Sequence, residues 1–299
     1  MNTNILDGLR EIAQLKGMTE LIAYMGKPGA YSEMACLAYA PLMEPLACQT
    51  FEDTFAAVVE GRAALGMIPI ENSTAGRVAD VHALLPESPL HVVGEHHQPV
   101  VHHLLGLPAA EIADVKEAYA HIQSLMQCRK WLLARHILPV RHLDNGAAAQ
   151  EISEQQDKSK AAIASERAGQ LYGLKSLAVN IADQPNNTTR FLILSRTPSV
   201  PSPDEGLCVT TMMFRVRSVP AALYKALGGF ATNGVNITKI ESYLVDGQFT
   251  AARFHLDVEG HPAQTPLKNA LAELNFFAQE VRILGTYLAS PFRLAHHDC

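Results

Sequence analysis

At 299 residues, 48% of them apolar and 18% charged, the chain is long enough for two domains and too apolar to be disordered. Its formal charge of −6 excludes nucleic acid as a general partner, and the lack of any continuous apolar run of about 18 residues excludes a membrane partner through a spanning helix. Five scattered cysteines, Cys36, Cys48, Cys128, Cys208 and Cys299, form no Cys-x-x-Cys pair, which fits a reduced, cytoplasmic protein and argues against a disulfide framework or a zinc knuckle.

Met1 to Lys16 mixes charged and apolar residues and reads as a short amphipathic lead-in, not a signal peptide. Leu21 to Met25 is a predicted buried strand. Gly26-Lys27-Pro28-Gly29-Ala30-Tyr31-Ser32 then turns into a helix reaching about Tyr39, and helix N-terminal amides at such a turn favour anions. Leu46 to Gln49 is a strand. Thr50 caps the helix Phe51 to Glu60, with Asp53 in the reciprocal position and Gly61 as the stop. Leu65 to Ile70 is a buried strand that ends in the polar run Glu71-Asn72-Ser73-Thr74, where ligand groups collect in open α/β sheets. That run equally serves as a plain cap for the helix Val78 to Leu85.

Leu90 to Glu95 and Val100 to Leu107 are strands, and His96, His97, His102 and His103 fall between and within them. Strand neighbours point to opposite faces, so each histidine pair splits, and no Cys or acidic residue joins them at ligand spacing. They are expected to be solvated or internally satisfied, with no metal bound. Val115 to Ala120, Leu138 to Leu143 and Ala161 to Ser165 are strands, alternating with helices to about Arg135, to Glu154 and from Glu166 to Tyr172. Strict alternation predicts α/β structure with mainly parallel pairing. The stretch Asn186-Asn187-Thr188-Thr189-Arg190 runs into the apolar strand Phe191 to Leu194. A hydroxyl beside a guanidinium at the mouth of a buried strand suits an anionic substrate that must lose a hydroxyl group.

Thr197 to Gly206 carries three prolines and reads as a linker, so residues 20–197 form one region and 207–290 another, joined by 198–206. Beyond it come the strand Cys208 to Val216, a helix from Pro220 to Asn233, strands Val235 to Tyr243 and Phe249 to Val258 joined by the tight turn Asp246-Gly247, the helix Leu267 to Phe277 and the strand Val281 to Tyr287. That is the β-α-β-β-α-β order of a ferredoxin-like unit.

Four motifs in series, Gly26-x-x-Gly29-Ala30-Tyr31-Ser32, Ile68-Pro69-Ile70-Glu71-Asn72-Ser73, His121-x-Gln123-x-x-x-Gln127-Cys128 and Asn187-Thr188-Thr189-Arg190-Phe191, resemble the prephenate dehydratase family. Leu223 to Leu227 and Asn236 to Ser242 resemble the ACT regulatory domain that follows it. The resemblance implies a two-lobed, periplasmic-binding-protein-like α/β catalytic region plus a ferredoxin-like βαββαβ ACT domain. It implies conversion of prephenate to phenylpyruvate, water and carbon dioxide in phenylalanine biosynthesis, with no cofactor. Thr189 is the implied donor to the leaving hydroxyl. Arg190 and the amides of Gly29, Ala30, Tyr31 and Ser32 are the implied carboxylate binders. Asn72, Ser73 and Gln127 orient the substrate, and His121 and Phe191 contact it. Glu71, a carboxylate facing a dianion, is expected to orient its neighbours.

By the same resemblance Ala222, Leu223, Asn236, Glu241 and Ser242 form a phenylalanine effector site between paired ACT domains, implying a homodimer or homotetramer. Three departures stand out. Ala120 replaces the family's Ser, Tyr243-Leu244 replaces Arg-Pro, and Ala221-Ala222-Leu223 replaces Gly-Ala-Leu. The missing hydroxyl at Ala120 touches the polar network, and the other two bear on the strength of feedback. Arogenate dehydratase and a non-catalytic amino-acid sensor are the alternative readings.

Overall fold

The computed structural model of the protein describes residues 20–216, 219–245 and 248–295 and, among these, every side chain outside residues 244–252. The lead-in Met1 to Lys16, the Asp246-Gly247 turn and Cys299 lie outside the described residues. The described chain divides into two compact units, residues 20–87 with 96–192, and residues 88–95 with 193–295.

The chain opens with β1 (Leu21–Met25), α1 (Tyr31–Tyr39), β2 (Glu44–Cys48), α2 (Phe51–Val59), β3 (Leu65–Asn72), the short β4 (Gly76–Arg77), α3 (Ala79–Leu84) and β5 (His91–Pro99). After it come β6 (His103–Gly106), β7 (Glu117–His121), α4 (Ile122–Gln127), α5 (Arg129–Leu133), β8 (Leu138–His142), α6 (Asn145–Gln155), β9 (Lys160–Ala164), α7 (Glu166–Tyr172), β10 (Lys175–Ala178) and β11 (Thr188–Ser195). One sheet has the order β2-β1-β3-β11-β5, the other β10-β6-β9-β7-β8. These are two α/β lobes. The chain passes between them twice, through residues 100–102 and 179–187, and the passages bond to each other: Val100 N–H donates to Asn187 O at 2.8 Å and Ile181 N–H to His102 O at 3.0 Å.

Local chemistry sets the helix starts. Thr50, Asp144 and Ser165 each accept a backbone N–H at the mouth of their helix, and Gly173, at φ +66°, ends α7. The carboxylate of Asp53 turns to Arg62 Nη2 at 2.9 Å. Apolar residues of both lobes are buried, among them Ile22, Met67, Ile70, Leu104, Ala118 and Ile163. Parallel pairing holds for β1 with β2 and β3, and for β7 with β8 and β9, whereas β6 and β10 run antiparallel to their partners. Those two are the strands by which the chain enters and leaves the second lobe, so no crossover helix constrains their direction.

Residues 208–288 form β12 (Cys208–Val216), α8 (Ala222–Thr232), β13 (Ile237–Val245), β14 (Gln248–Glu259), α9 (Thr265–Phe277) and β15 (Ala278–Leu288), with the short α10 (Pro291–Ala295) after them. The sheet order β13-β14-β12-β15 and its antiparallel pairs are those of a ferredoxin-like unit. Its core holds Met212, Phe214, Phe230, Leu256 and Leu274, alternate strand residues facing two helices. In the same unit Glu95 Oε1 accepts from Arg293 Nε at 2.6 Å. Pro220 precedes the helix, whose cap is Ala221 at φ +59°.

Candidate active site

The end of β3, the start of β11, the last turn of α4 and both inter-lobe passages converge on one polar cluster. Its centre is Asn72. The backbone N–H groups of Thr74 and Ala75 donate to Asn72 Oδ1 at 3.0 and 2.8 Å. Main-chain N–H groups are donors without choice, so the amide nitrogen must face the other way. It donates to Asn187 Oδ1 at 2.7 Å and to Thr189 Oγ1 at 3.0 Å. Asn187 Nδ2 in turn donates to Gln127 Oε1 at 3.1 Å, Gln127 Nε2 to Thr74 Oγ1 at 2.7 Å, and the Thr74 hydroxyl back to Asn72 Oδ1 at 2.8 Å. The four side chains form a closed head-to-tail ring, with Thr189 hanging from Asn72.

Thr189 Oγ1 accepts from Asn72, and among the described residues nothing accepts its hydrogen. The hydroxyl is left as a donor for whatever occupies the site, and the bond it receives makes it more acidic. Phe191, on the same strand, is buried beneath it. A cavity of about 470 Å³ adjoins the ring, lined by Thr74, Gln127, Asn187, Gln123, Lys130 and Asp183 among others.

His102 meets the ring at Gln127. Its Nε2 lies 2.8 Å from Gln127 Oε1 and its Nδ1 3.1 Å from the Tyr31 hydroxyl, which donates to Val101 O at 2.7 Å. Burial holds the imidazole below its ordinary range and pushes the Tyr31 phenol up. The remaining histidines of the two pairs are placed apart. His103 Nδ1 bonds Ser176 Oγ at 2.9 Å, and His96 meets the Tyr39 ring edge-on. Among the described residues no cluster of metal-ligating side chains forms.

Several expectations change. Arg190 does not stand beside Thr189. Successive strand residues face opposite ways, and Arg190 is 5% exposed with Nη1 at 2.8 Å from Glu71 Oε1, both one residue out of phase with the Asn72–Thr189 contact. Glu71 therefore orients a neighbour, as expected, and that neighbour is the residue assigned to a substrate carboxylate. Arg190→Lys keeps the charge and loses the fork. Its expected effect is a stability loss of about 1–2 kcal/mol with KM little changed, read from thermal unfolding beside steady-state kinetics. A large rise in KM without a stability loss would restore the carboxylate role.

The anion-binding amides also change. Gly29 N–H donates to Glu33 Oε2 at 2.9 Å and Ala30 N–H to Lys27 O at 3.1 Å, so both are used within the loop. Glu33 receives Arg167 as well, at 2.6 and 3.2 Å, and Ser165 Oγ donates to Gly29 O at 2.6 Å. The loop is thus latched to the start of α7, and its contribution to the cluster is Tyr31, while Ser32 sits in the first turn of α1. Ser73 Oγ is spent on Asn186 O and Thr188 N at 3.1 and 3.0 Å, tying β3 to β11. His121 caps α4 through Gln123 N. Ala120 is fully buried in the apolar core of its lobe, so a hydroxyl is not missing from the ring.

In the C-terminal unit, Ala222 and Leu223 open α8 while Asn236 follows its far end, about 15 Å along the axis. Asn236 Nδ2 donates to Glu259 Oε2 at 2.8 Å, and Glu241 lies 3.8 Å from Lys239 Nζ, with Ser242 next to it on β13. A single chain does not gather these five residues into one pocket.

A family model described as prephenate dehydratase matches residues 22–199. A Komagataeibacter europaeus protein described as a bifunctional N-acyl-homoserine lactone acylase/prephenate dehydratase is 49% identical over 274 residues, 91% of this chain and 97% of that protein. The chloroplastic arogenate dehydratase/prephenate dehydratase 1 of Arabidopsis thaliana is 39% identical over 280 residues, 89% of this chain and 71% of that protein. Among solved structures, the prephenate dehydratase from Arthrobacter aurescens in complex with L-Phe aligns with a TM-score of 0.82 at 27% identity, covering 93% of this chain and 97% of that one.

Proposed function

Because this chain belongs to the prephenate dehydratase family, whose members are carbon–oxygen lyases, we propose that it converts prephenate to phenylpyruvate, with Thr189 as donor to the departing hydroxyl. The observation that carries this is the Asn72 N–H on Thr189 Oγ1, which leaves the hydroxyl hydrogen for the substrate. The ring C–O bond breaks as Thr189 supplies a proton, and water leaves. The electrons of the C–carboxylate bond become the new ring double bond, and carbon dioxide leaves. Solvent returns one proton to Thr189, so the dianion plus one proton gives the phenylpyruvate monoanion, water and carbon dioxide. Aromatisation makes the sequence strongly downhill. A threonine is a weak acid, so a pre-organised donor that costs no reorganisation carries much of the effect. Lys130, exposed on the cavity wall, is the cation available to a substrate carboxylate.

Acyl transfer, part of one relative's description, needs a nucleophile beside a base. What faces Thr189 is an amide N–H, a donor, which favours elimination. The βαββαβ unit is the proposed ACT domain. Phenylalanine is its proposed effector, with Ala222, Leu223, Asn236, Glu241 and Ser242 shared between two copies, and the L-Phe complex of one relative supports this. The test is phenylpyruvate formation from prephenate by the full chain, with and without phenylalanine, with arogenate in parallel. Product that falls on adding phenylalanine is expected. Turnover of arogenate alone moves the substrate. Silence on both, with phenylalanine bound, makes the protein a sensor and overturns the reading.

A further inference from the structure

A head-to-tail ring of amides and a hydroxyl can run in either sense, because each amide can turn over and exchange its oxygen and nitrogen. The two senses are not equivalent for Thr189. In the sense described above, Asn72 presents its nitrogen to Thr189 Oγ1. In the reverse sense Asn72 Oδ1 would face the hydroxyl, accept its hydrogen and remove it from the substrate. Two groups outside the ring bear on the choice. The Thr74 and Ala75 amides act at Asn72, and His102 acts at the opposite member, Gln127.

We propose that His102, held as the neutral tautomer with its hydrogen on Nε2, is a positioning residue that fixes the sense of this ring and so keeps the Thr189 hydrogen for the leaving group. This rests on the dehydratase reading of the site. Gln127 Oε1 accepts from Asn187 and sits 2.8 Å from His102 Nε2, so Nε2 must be the donor. Tyr31 fixes the other nitrogen. Its single hydroxyl hydrogen is shared between Val101 O and His102 Nδ1, which makes Nδ1 an acceptor. With burial disfavouring the imidazolium, one hydrogen remains on the ring, and its place is Nε2. His102 is 1% exposed and does not reach the substrate. It acts through Gln127, Asn187 and Asn72, residues 25 to 117 positions away in sequence from the groups they bond.

The full-length protein, with its histidine rings labelled with nitrogen-15, tests this by NMR at neutral pH without any substrate. The His102 signals, assigned by their loss in H102Q, are expected to show a protonated Nε2 and a bare Nδ1. A hydrogen on Nδ1 overturns the proposal, whatever the substrate proves to be. Kinetics with prephenate supply the second measurement. His102→Leu is expected to lower kcat by about 10- to 100-fold with KM little changed, the range for one misdirected hydrogen bond. His102→Gln, whose amide N–H can reach Gln127 Oε1, is expected to recover most of the loss. A leucine variant with unaltered kcat, or a folded glutamine variant as slow as the leucine one, overturns the positioning role. Thr189→Ala with full activity would instead sink the reading of the site itself.

Discussion

Thr189→Ala is expected to lower kcat by about 10³-fold, near 4 kcal/mol of transition-state stabilisation, while KM moves little. The reasoning is geometric. The Thr189 hydroxyl is held by Asn72 and makes no bond of its own to the described protein, so its hydrogen meets the substrate only as charge develops on the leaving oxygen. An interaction made in the transition state alone appears in kcat. Thr189→Ser keeps the hydroxyl on the same backbone and is expected to retain most turnover. Thr189→Val keeps the shape, loses the hydrogen and should fall with alanine. The comparison is made by following phenylpyruvate at saturating prephenate. An alanine variant within about tenfold of the parent would mean that the departing hydroxyl is protonated from elsewhere.

The largest expected loss of stability is at Gly29. Its backbone sits at φ +90°, and a Cβ there would stand 2.9 Å from Ala168 Cα and Cβ. Gly29→Ala combines about 1–2 kcal/mol of left-handed backbone cost with about 1–3 kcal/mol of overpacking. The loop cannot simply move away, because Glu33 holds its N–H and Ser165 its C=O. Denaturant unfolding is therefore expected to report roughly 2–5 kcal/mol lost. Turnover should fall as well, since Tyr31 follows two residues later and steadies His102. Adding Ala168→Gly relieves the overpacking but not the backbone cost, so the double variant is expected to recover part of the stability. A single variant within about 0.5 kcal/mol of the parent would show that the contact at Ala168 is not binding on the loop.

The alternating elements, the caps at Thr50, Asp144 and Ser165 and the βαββαβ order were legible because each is a local matter, settled by spacing within a few residues. Asn72, Gln127 and Thr189 were legible as motif members. Their partners were less so. Thr74 looks like an ordinary cap from the sequence, and His102 like one of four histidines expected to be satisfied. What each is satisfied by is fixed only when segments far apart in the chain meet. Arg190 shows the opposite error, in which adjacency in sequence stands in for adjacency in space. The alternation that separates His96 from His97 along a strand equally separates Thr189 from Arg190. The loop at Gly29 has the composition of an anion cradle, yet its first amides are consumed by Glu33 and Lys27, a competition that only the turn geometry reveals.

Half of the control over the amide ring is exerted by main-chain N–H groups, those of Thr74 and Ala75. Heredity acts on side chains, and a peptide N–H survives every replacement except proline. Descendants of this chain are therefore free to vary the side chain at 75, which lines the cavity, and so to drift toward new ring substituents without disarming Thr189. The His102 end has no such protection. Divergence in substrate and decay of catalysis should thus be written at different positions, the first around Ala75 and the second at His102 and its partner Tyr31.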